Sequence, residues 1–142
     1  MKSSLIFGVF LFSVSTLMFA QPTSPTQDIS TVIHAFAKAG DQQDAEALED
    51  LLDPNYRVVM NQLFGATTVL TLDREAYLTK IRNKEFGGDE RKVQIETLSV
   101  QGKTATARVR LTGQQMALLS FFVLVQDASG QWKLVSDVPN VL

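Results

Sequence analysis

The sequence predicts an α+β fold, cone-shaped, in which three helices from the N-terminal half cover one face of a curved, mixed or antiparallel sheet. Three observations predict it. Apolar residues recur at helical spacing in three early stretches, period-two alternation takes over from about residue 91, and one alternating run slips phase. The slip falls between Ile95 and Leu98 in "VQIETLSV" and marks a bulge, which bends its strand. A bent sheet roofed by helices encloses a hollow, the default location for a ligand.

The chain has 142 residues. Residues 1–20, "MKSSLIFGVFLFSVSTLMFA", place Lys2 before an apolar run from Leu5 to Phe19, and Ala20 precedes the polar "QPTSPTQ". That pattern is a secretory signal peptide cut after Ala20. The run is short of the roughly 20 apolar residues and charged stop of a membrane anchor. The mature protein is therefore expected to be secreted or periplasmic, without a membrane partner once cleaved. Residues 21–27 read as a linker and residues 28–142 as a single domain.

Ser24, Pro25 and Gln27 form a helix start, with Ile29, Val32, Ile33 and Phe36 as its apolar face and Gly40 as its stop. Asp44 caps a second helix with a Leu48, Leu51, Leu52 stripe, stopped by Pro54. "YRVVMNQLF" is a first strand, Gly65-Ala66 a turn and "TTVLTL" a second strand. Asp73 caps a third helix, Leu72 is placed to staple against Tyr77, and Gly87-Gly88 closes it. Beyond the bulged strand, Gln101-Gly102 turns into "ATARVRL", where Ala105, Ala107, Val109 and Leu111 share one face. "MALLSFFVLV" is apolar on both faces and reads as a central strand. "DASG" turns into the last strand, "WKLVSDV".

There is no cysteine, which excludes disulfides, thiolate metal sites and a cysteine nucleophile. With Lys2 lost in the leader, twelve basic residues face fifteen acidic ones, a net charge of −3 that offers no footprint for nucleic acid. The remaining 122 residues suffice for one core.

Three stretches, "AGDQQDAEALEDLLDPNYRVV", "LDREAYLTKI" and "DASGQWKLVSDV", together resemble the nuclear transport factor 2-like superfamily and, within it, the putative lumazine-binding proteins. The resemblance covers about Thr26 to Val138. It implies a cone-shaped fold, frequent dimers through the outer sheet face, and a pocket used for binding or for catalysis. Ketosteroid isomerase-like enzymes of the superfamily carry a helix tyrosine, an aspartate base on the first strand and a second acid on the penultimate strand. Aligned on "LLDPNYRVVM", those positions fall on Phe36, Met60 and near Phe121, with Ser120 the other possibility. Phe36, Met60 and Phe121 can neither abstract a proton nor stabilise an oxyanion. No catalytic residue is assigned on this basis.

The six carboxylates of residues 39–59 have structural assignments: Asp41 after a helix end, Asp44 as cap, Glu46 in a first turn, Glu49 and Asp50 in water, Asp53 before proline. They lack the alternation and glycine of a calcium loop, and no metal or cofactor is expected. His34, the only histidine, points away from the apolar stripe. Tyr56, Val58 and Met60 alternate toward the hollow. The two apolar faces of "MALLSFFVLV" exceed what helices can cover, which motivates a homodimer through the outer sheet face with Arg108, Arg110 and Asp137 at its edge. The expected function is non-catalytic binding of a small apolar or aromatic ligand by Phe36, Tyr56, Met60 and Phe121, with no proton-transfer group in the hollow. The alternatives are a hydratase, cyclase or isomerase using Tyr56 with Ser120, Ser136 or Asp137, and a module that binds another envelope protein.

Overall fold

The structure, a computed structural model, describes residues 22–142; the expected leader over residues 1–20 lies outside the described residues. Helices α1 (Pro25–Asp41) and α2 (Ala45–Leu51) precede strands β1 (Leu52–Asn61) and β2 (Val69–Asp73), then α3 (Arg74–Arg82). Four strands follow, β3 (Lys92–Gln101), β4 (Thr104–Thr112), β5 (Ala117–Gln126) and β6 (Trp132–Val141). They form one mixed sheet in the order β2-β1-β6-β5-β4-β3, with β1 parallel to β6 and the other pairs antiparallel. The α+β class and the order of elements agree with the sequence reading.

The helix starts are the expected ones. Ser24, Asp44 and Asp73 each accept from the backbone N–H three residues on, at 3.3, 3.0 and 2.8 Å. Helix α1 begins at Pro25, inside the expected linker. The helix ends differ from expectation. Helix α1 runs past Gly40 and closes at Gln43, which adopts φ +54° while Gln43 N–H donates to Gly40 and Asp44 N–H to Ala39. Helix α3 closes in the same way at Lys84, φ +60°, with Lys84 N–H donating to Ile81 and Glu85 N–H to Lys80. Both are Schellman closures on a residue with a side chain. The glycines serve another purpose: a Cβ on Gly87 would lie 2.1 Å from the carbonyl oxygen of Gly40, so two backbones meet there. Helix α2 ends three residues before Pro54, which lies inside β1 where the β1–β6 register shifts between Leu52 and Arg57. A proline, having no N–H to give, is tolerated at such an irregularity.

The predicted bulge is present as a register shift between Ile95 and Thr97. A second one, between β5 and β6, sets Val123 opposite Ser136 but Leu124 opposite Leu134, leaving Val135 as the extra residue. Helices cover the face that carries Tyr56, Val58, Met60, Val109, Leu111, Phe122 and Leu134, all buried together with Ile29, Ile33, Phe36, Leu78 and Ile81 of α1 and α3.

Candidate functional site

The inner face of the sheet, α1, α3 and the segment entering β3 enclose a cavity of about 340 Å³. Its walls are mainly apolar and include Phe36, Val58, Met60, Ile81, Phe86, Leu111 and Leu118. Aromatic rings pack in a chain along one side: Phe36 edge-on to Phe122 at 5.4 Å, Phe36 over Tyr77 at 6.3 Å, and Tyr77 edge-on to Tyr56 at 5.3 Å. Exposed Phe64, Glu85 and Gln115 lie on the rim. There Asp89 accepts from the backbone N–H groups of Gln114, Gln115 and Met116 at 2.9, 3.0 and 3.3 Å, which fixes the β4–β5 turn at the mouth. Gly113 makes room for that carboxylate, since a Cβ there would stand 1.9 Å from Asp89 Oδ2.

The closed end is polar. Asp137, only 6% exposed, and Ser120, fully buried, both line the cavity, and Tyr56 is buried in the core within electrostatic reach of Asp137. Tyr56 Oη, Ser120 Oγ and Asp137 Oδ1 are all buried without a hydrogen-bond partner. They come from three adjacent strands, β1, β5 and β6; Val58 and Phe122 flank Asp137 across the sheet. Burial raises the Asp137 carboxyl from 3.8 to about 7, against the smaller lowering influences of the Ser120 hydroxyl and the Arg91 guanidinium. Ser120 is near enough to act on the carboxyl without closing a well-formed hydrogen bond. Burial first, then the Asp137 charge, also holds the Tyr77 hydroxyl above its usual range; Tyr56 is raised by burial, then by Tyr77 and Asp137. Both phenols are therefore neutral donors throughout the physiological range.

Arg91 completes the wall. Its Nε meets Asp41 Oδ1 at 2.5 Å, its backbone N–H donates to Asp41 Oδ2 at 2.9 Å, and Nη2 donates to the Ala37 carbonyl at 3.1 Å. Gly40 permits this, because a Cβ there would come within 2.9 Å of Nη2. Asp41, expected simply to follow a helix end, is thus the counter-ion of a largely buried arginine. The other carboxylates of that stretch fall outside the cavity: Asp44 caps, Glu49 pairs with Arg74 at 3.3 Å, and Asp53 accepts from Asn55 N–H at 2.8 Å. His34 is exposed, its Nδ1 2.8 Å from the Ser30 carbonyl.

Of the four residues expected to bind a ligand, Phe36 and Met60 line the cavity, whereas Tyr56 is buried in the core with its ring against Tyr77 and does not line it. Phe121 does not line it either. It is 46% exposed on the opposite face of the sheet, paired with Arg108, while Ser120 pairs with Val109 and points inward. The four-residue turn between Thr112 and Ala117 sets that register. Asp137 corrects a second expectation. Trp132 and Leu134 are inward, so strict alternation sends Asp137 outward to the arginines; the extra residue Val135 reverses the phase and turns Asp137 inward. Ser136 does not join the buried group. Arg108 and Arg110 are instead paired with Glu96, at 2.9 and 2.8 Å. The hollow accordingly does hold a group capable of proton transfer, against the sequence expectation.

A family model described as putative lumazine-binding matches residues 24–138. Among curated proteins none matches the chain. Similar solved structures include a nuclear transport factor 2-like protein of unknown function from Silicibacter pomeroyi, 20% identical, TM-score 0.72, covering 82% of this chain and 95% of that one. Another, from Shewanella baltica, is 18% identical with TM-score 0.71, covering 85% and 98%. The CaMKII hub of S. rosetta is 22% identical with TM-score 0.63, covering 86% and 100%. At these identities the likeness establishes the fold.

Proposed function

The chain belongs to the putative lumazine-binding family, and from that membership we propose that it holds a small organic molecule inside the cone. The apolar body of the ligand lies against Phe36, Met60 and Phe86, and its hydrogen-bonding head meets Asp137 and Ser120 at the closed end. One observation carries this reading: two buried polar atoms without partners, Ser120 Oγ and Asp137 Oδ1, belong to residues that line an apolar cavity. Each such atom costs about 1–3 kcal/mol if left unmet, and a cavity of about 340 Å³ is within the size range of small-molecule sites. Native mass spectrometry of protein purified from its own compartment tests the proposal. A bound small molecule, lost when Met60 is replaced by Trp to fill the cavity, is the expected result; protein that carries nothing and takes up no apolar probe would refute it.

A second reading is favoured by the Asp137 carboxyl at about 7, poised to give or take a proton near neutrality. On that reading the protein is a hydratase, cyclase or isomerase with Asp137 as acid or base and Tyr56 as donor. Turnover of a panel of cyclic ketones, epoxides and hydratable alkenes, abolished by Asp137→Asn and showing one ionisation near pH 7, would establish it.

Two further parts of the proposal concern setting. The leader-like residues 1–20 support export to the periplasm or medium, and amino-terminal sequencing of the mature protein should begin at Gln21. The uncovered outer face of β5, with Phe121 at its centre, supports a homodimer.

A further inference from the structure

We propose that the loop joining β1 to β2, residues 62–68, is a lid over the cavity, and that Phe64 is the ring that closes it once an apolar ligand is inside. This rests on the cavity being a ligand site and says how that site opens and shuts. Three segments border the mouth: this loop with Leu63 and Phe64, the α3–β3 segment with Phe86 and Asp89, and the β4–β5 turn with Gln115 and Met116.

Two of the three are tied down. Asp89 holds the turn through the N–H groups of Gln114, Gln115 and Met116. The α3–β3 segment is fastened to the end of α1: Gly88 N–H donates to the Gly40 carbonyl at 3.2 Å, Gln43 Nε2 donates to the Phe86 carbonyl at 3.1 Å, and Arg91 pairs with Asp41. The 62–68 loop has no such tie. Among the described residues its hydrogen bonds stay within it: Gln62 N–H to the Thr68 carbonyl at 3.3 Å, Ala66 N–H to the Leu63 carbonyl at 3.1 Å, and Gln62 Nε2 to the Thr67 carbonyl at 3.5 Å. Leu63 packs against the core and is the fixed end, so the part free to swing begins at Phe64.

Phe64 itself is poorly placed where it stands. Its φ of +54° lies in the left-handed region, which a bulky side chain rarely adopts, between Gln62 at +53° and Gly65 at +82°. Its ring is 65% exposed, more than any other large apolar side chain among the described residues, although it borders an apolar cavity. Brought over the opening against Phe86 and Met116, both half-buried, the ring leaves water and covers whatever lies beneath it. Contact between ring and ligand exists only in the closed state, so an occupied cavity shifts the loop toward closure. The lid therefore acts mainly on the rate at which a ligand departs.

Two measurements with methylnaphthalene, an uncharged apolar probe that fluoresces, test this. In stopped-flow fluorescence Phe64→Ala should release the probe about ten-fold faster than the parent, the worth of burying most of an aromatic ring. Val69→Ala, which trims an exposed apolar side chain of the same hairpin outside the cavity wall, should release it at the parental rate. A single 4-fluorophenylalanine at position 64 reads the ring's exposure by fluorine NMR, through the shift between H2O and D2O. That solvent shift should be large in empty protein and fall by more than half when the probe saturates it; a ring that is merely a fixed wall would not change. The inference is overturned if Phe64→Ala releases the probe no more than about three-fold faster, if Val69→Ala matches it, or if the solvent shift is the same with and without probe. Any of these with the probe bound leaves the cavity reading standing, whereas failure of the probe to bind the parent and Phe64→Ala alike removes both.

Discussion

A carboxyl buried beside Phe122 and Val58 makes the stability of the fold depend on pH. In the unfolded chain Asp137 loses its proton near 3.8, in the folded chain at about 7. The folded state therefore binds the proton more tightly, and the cost of burying this residue is absent at low pH, grows as pH rises between the two values, and is complete above 7. At 1.36 kcal/mol per unit, the ceiling is about 4 kcal/mol. Asp137→Asn should accordingly be more stable than the parent at pH 8, with an advantage that shrinks by about 2–3 kcal/mol at pH 5; urea unfolding at the two pH values measures it. An advantage that grows at low pH would refute the burial of an ionisable Asp137. Tyr56→Phe removes a hydroxyl that has no partner, so in ligand-free protein it should be neutral or stabilising by about 1 kcal/mol. A loss of more than that in a urea melt would mean that the hydroxyl is satisfied.

Among the elements, the helix starts were legible because a cap is a local bargain between a side chain and the N–H three residues on, as at Asp44 and Asp73. Asp73→Ala should cost about 1 kcal/mol by chemical denaturation. The helix ends were misread because glycines at 40, 87 and 88 look like stops when read locally, whereas Gly87 lets two backbones touch and Gly40 makes room for the Arg91 guanidinium. A direct comparison separates the two uses of glycine. Gly102, at φ +59°, has open space around its missing Cβ, and Gly102→Ala should cost about 1 kcal/mol for backbone conformation alone. Gly87→Ala adds a collision with a carbonyl oxygen and should cost about 3 kcal/mol or more. Equal losses in thermal or urea unfolding would show that the α1 end and the α3–β3 segment are not in contact.

At the scale of the whole molecule, the helices cover one face of the sheet and leave the other to β5, where Phe121 stands beside Thr106, Arg108 and Val123. If that face joins two copies, the protein should sediment as a dimer at micromolar concentration and Phe121→Glu should sediment as a monomer with its fold intact; a monomeric parent would remove the idea. Composition, caps, periodicity and the phase slip at Ile95 were enough to determine an α+β cone with an apolar hollow, because each reports a preference satisfied within a few residues of itself. The alignment to the resembling enzymes misplaced Phe121, and strict alternation misplaced Asp137. A strand apolar on both sides gives no clue to its facing, and one extra residue at Val135 reverses the alternation without leaving a mark in the sequence pattern. Only the tertiary structure decided that a carboxyl closes the hollow, because facing in a sheet is fixed by register against neighbouring strands, and register is a property of the assembled sheet rather than of any strand within it.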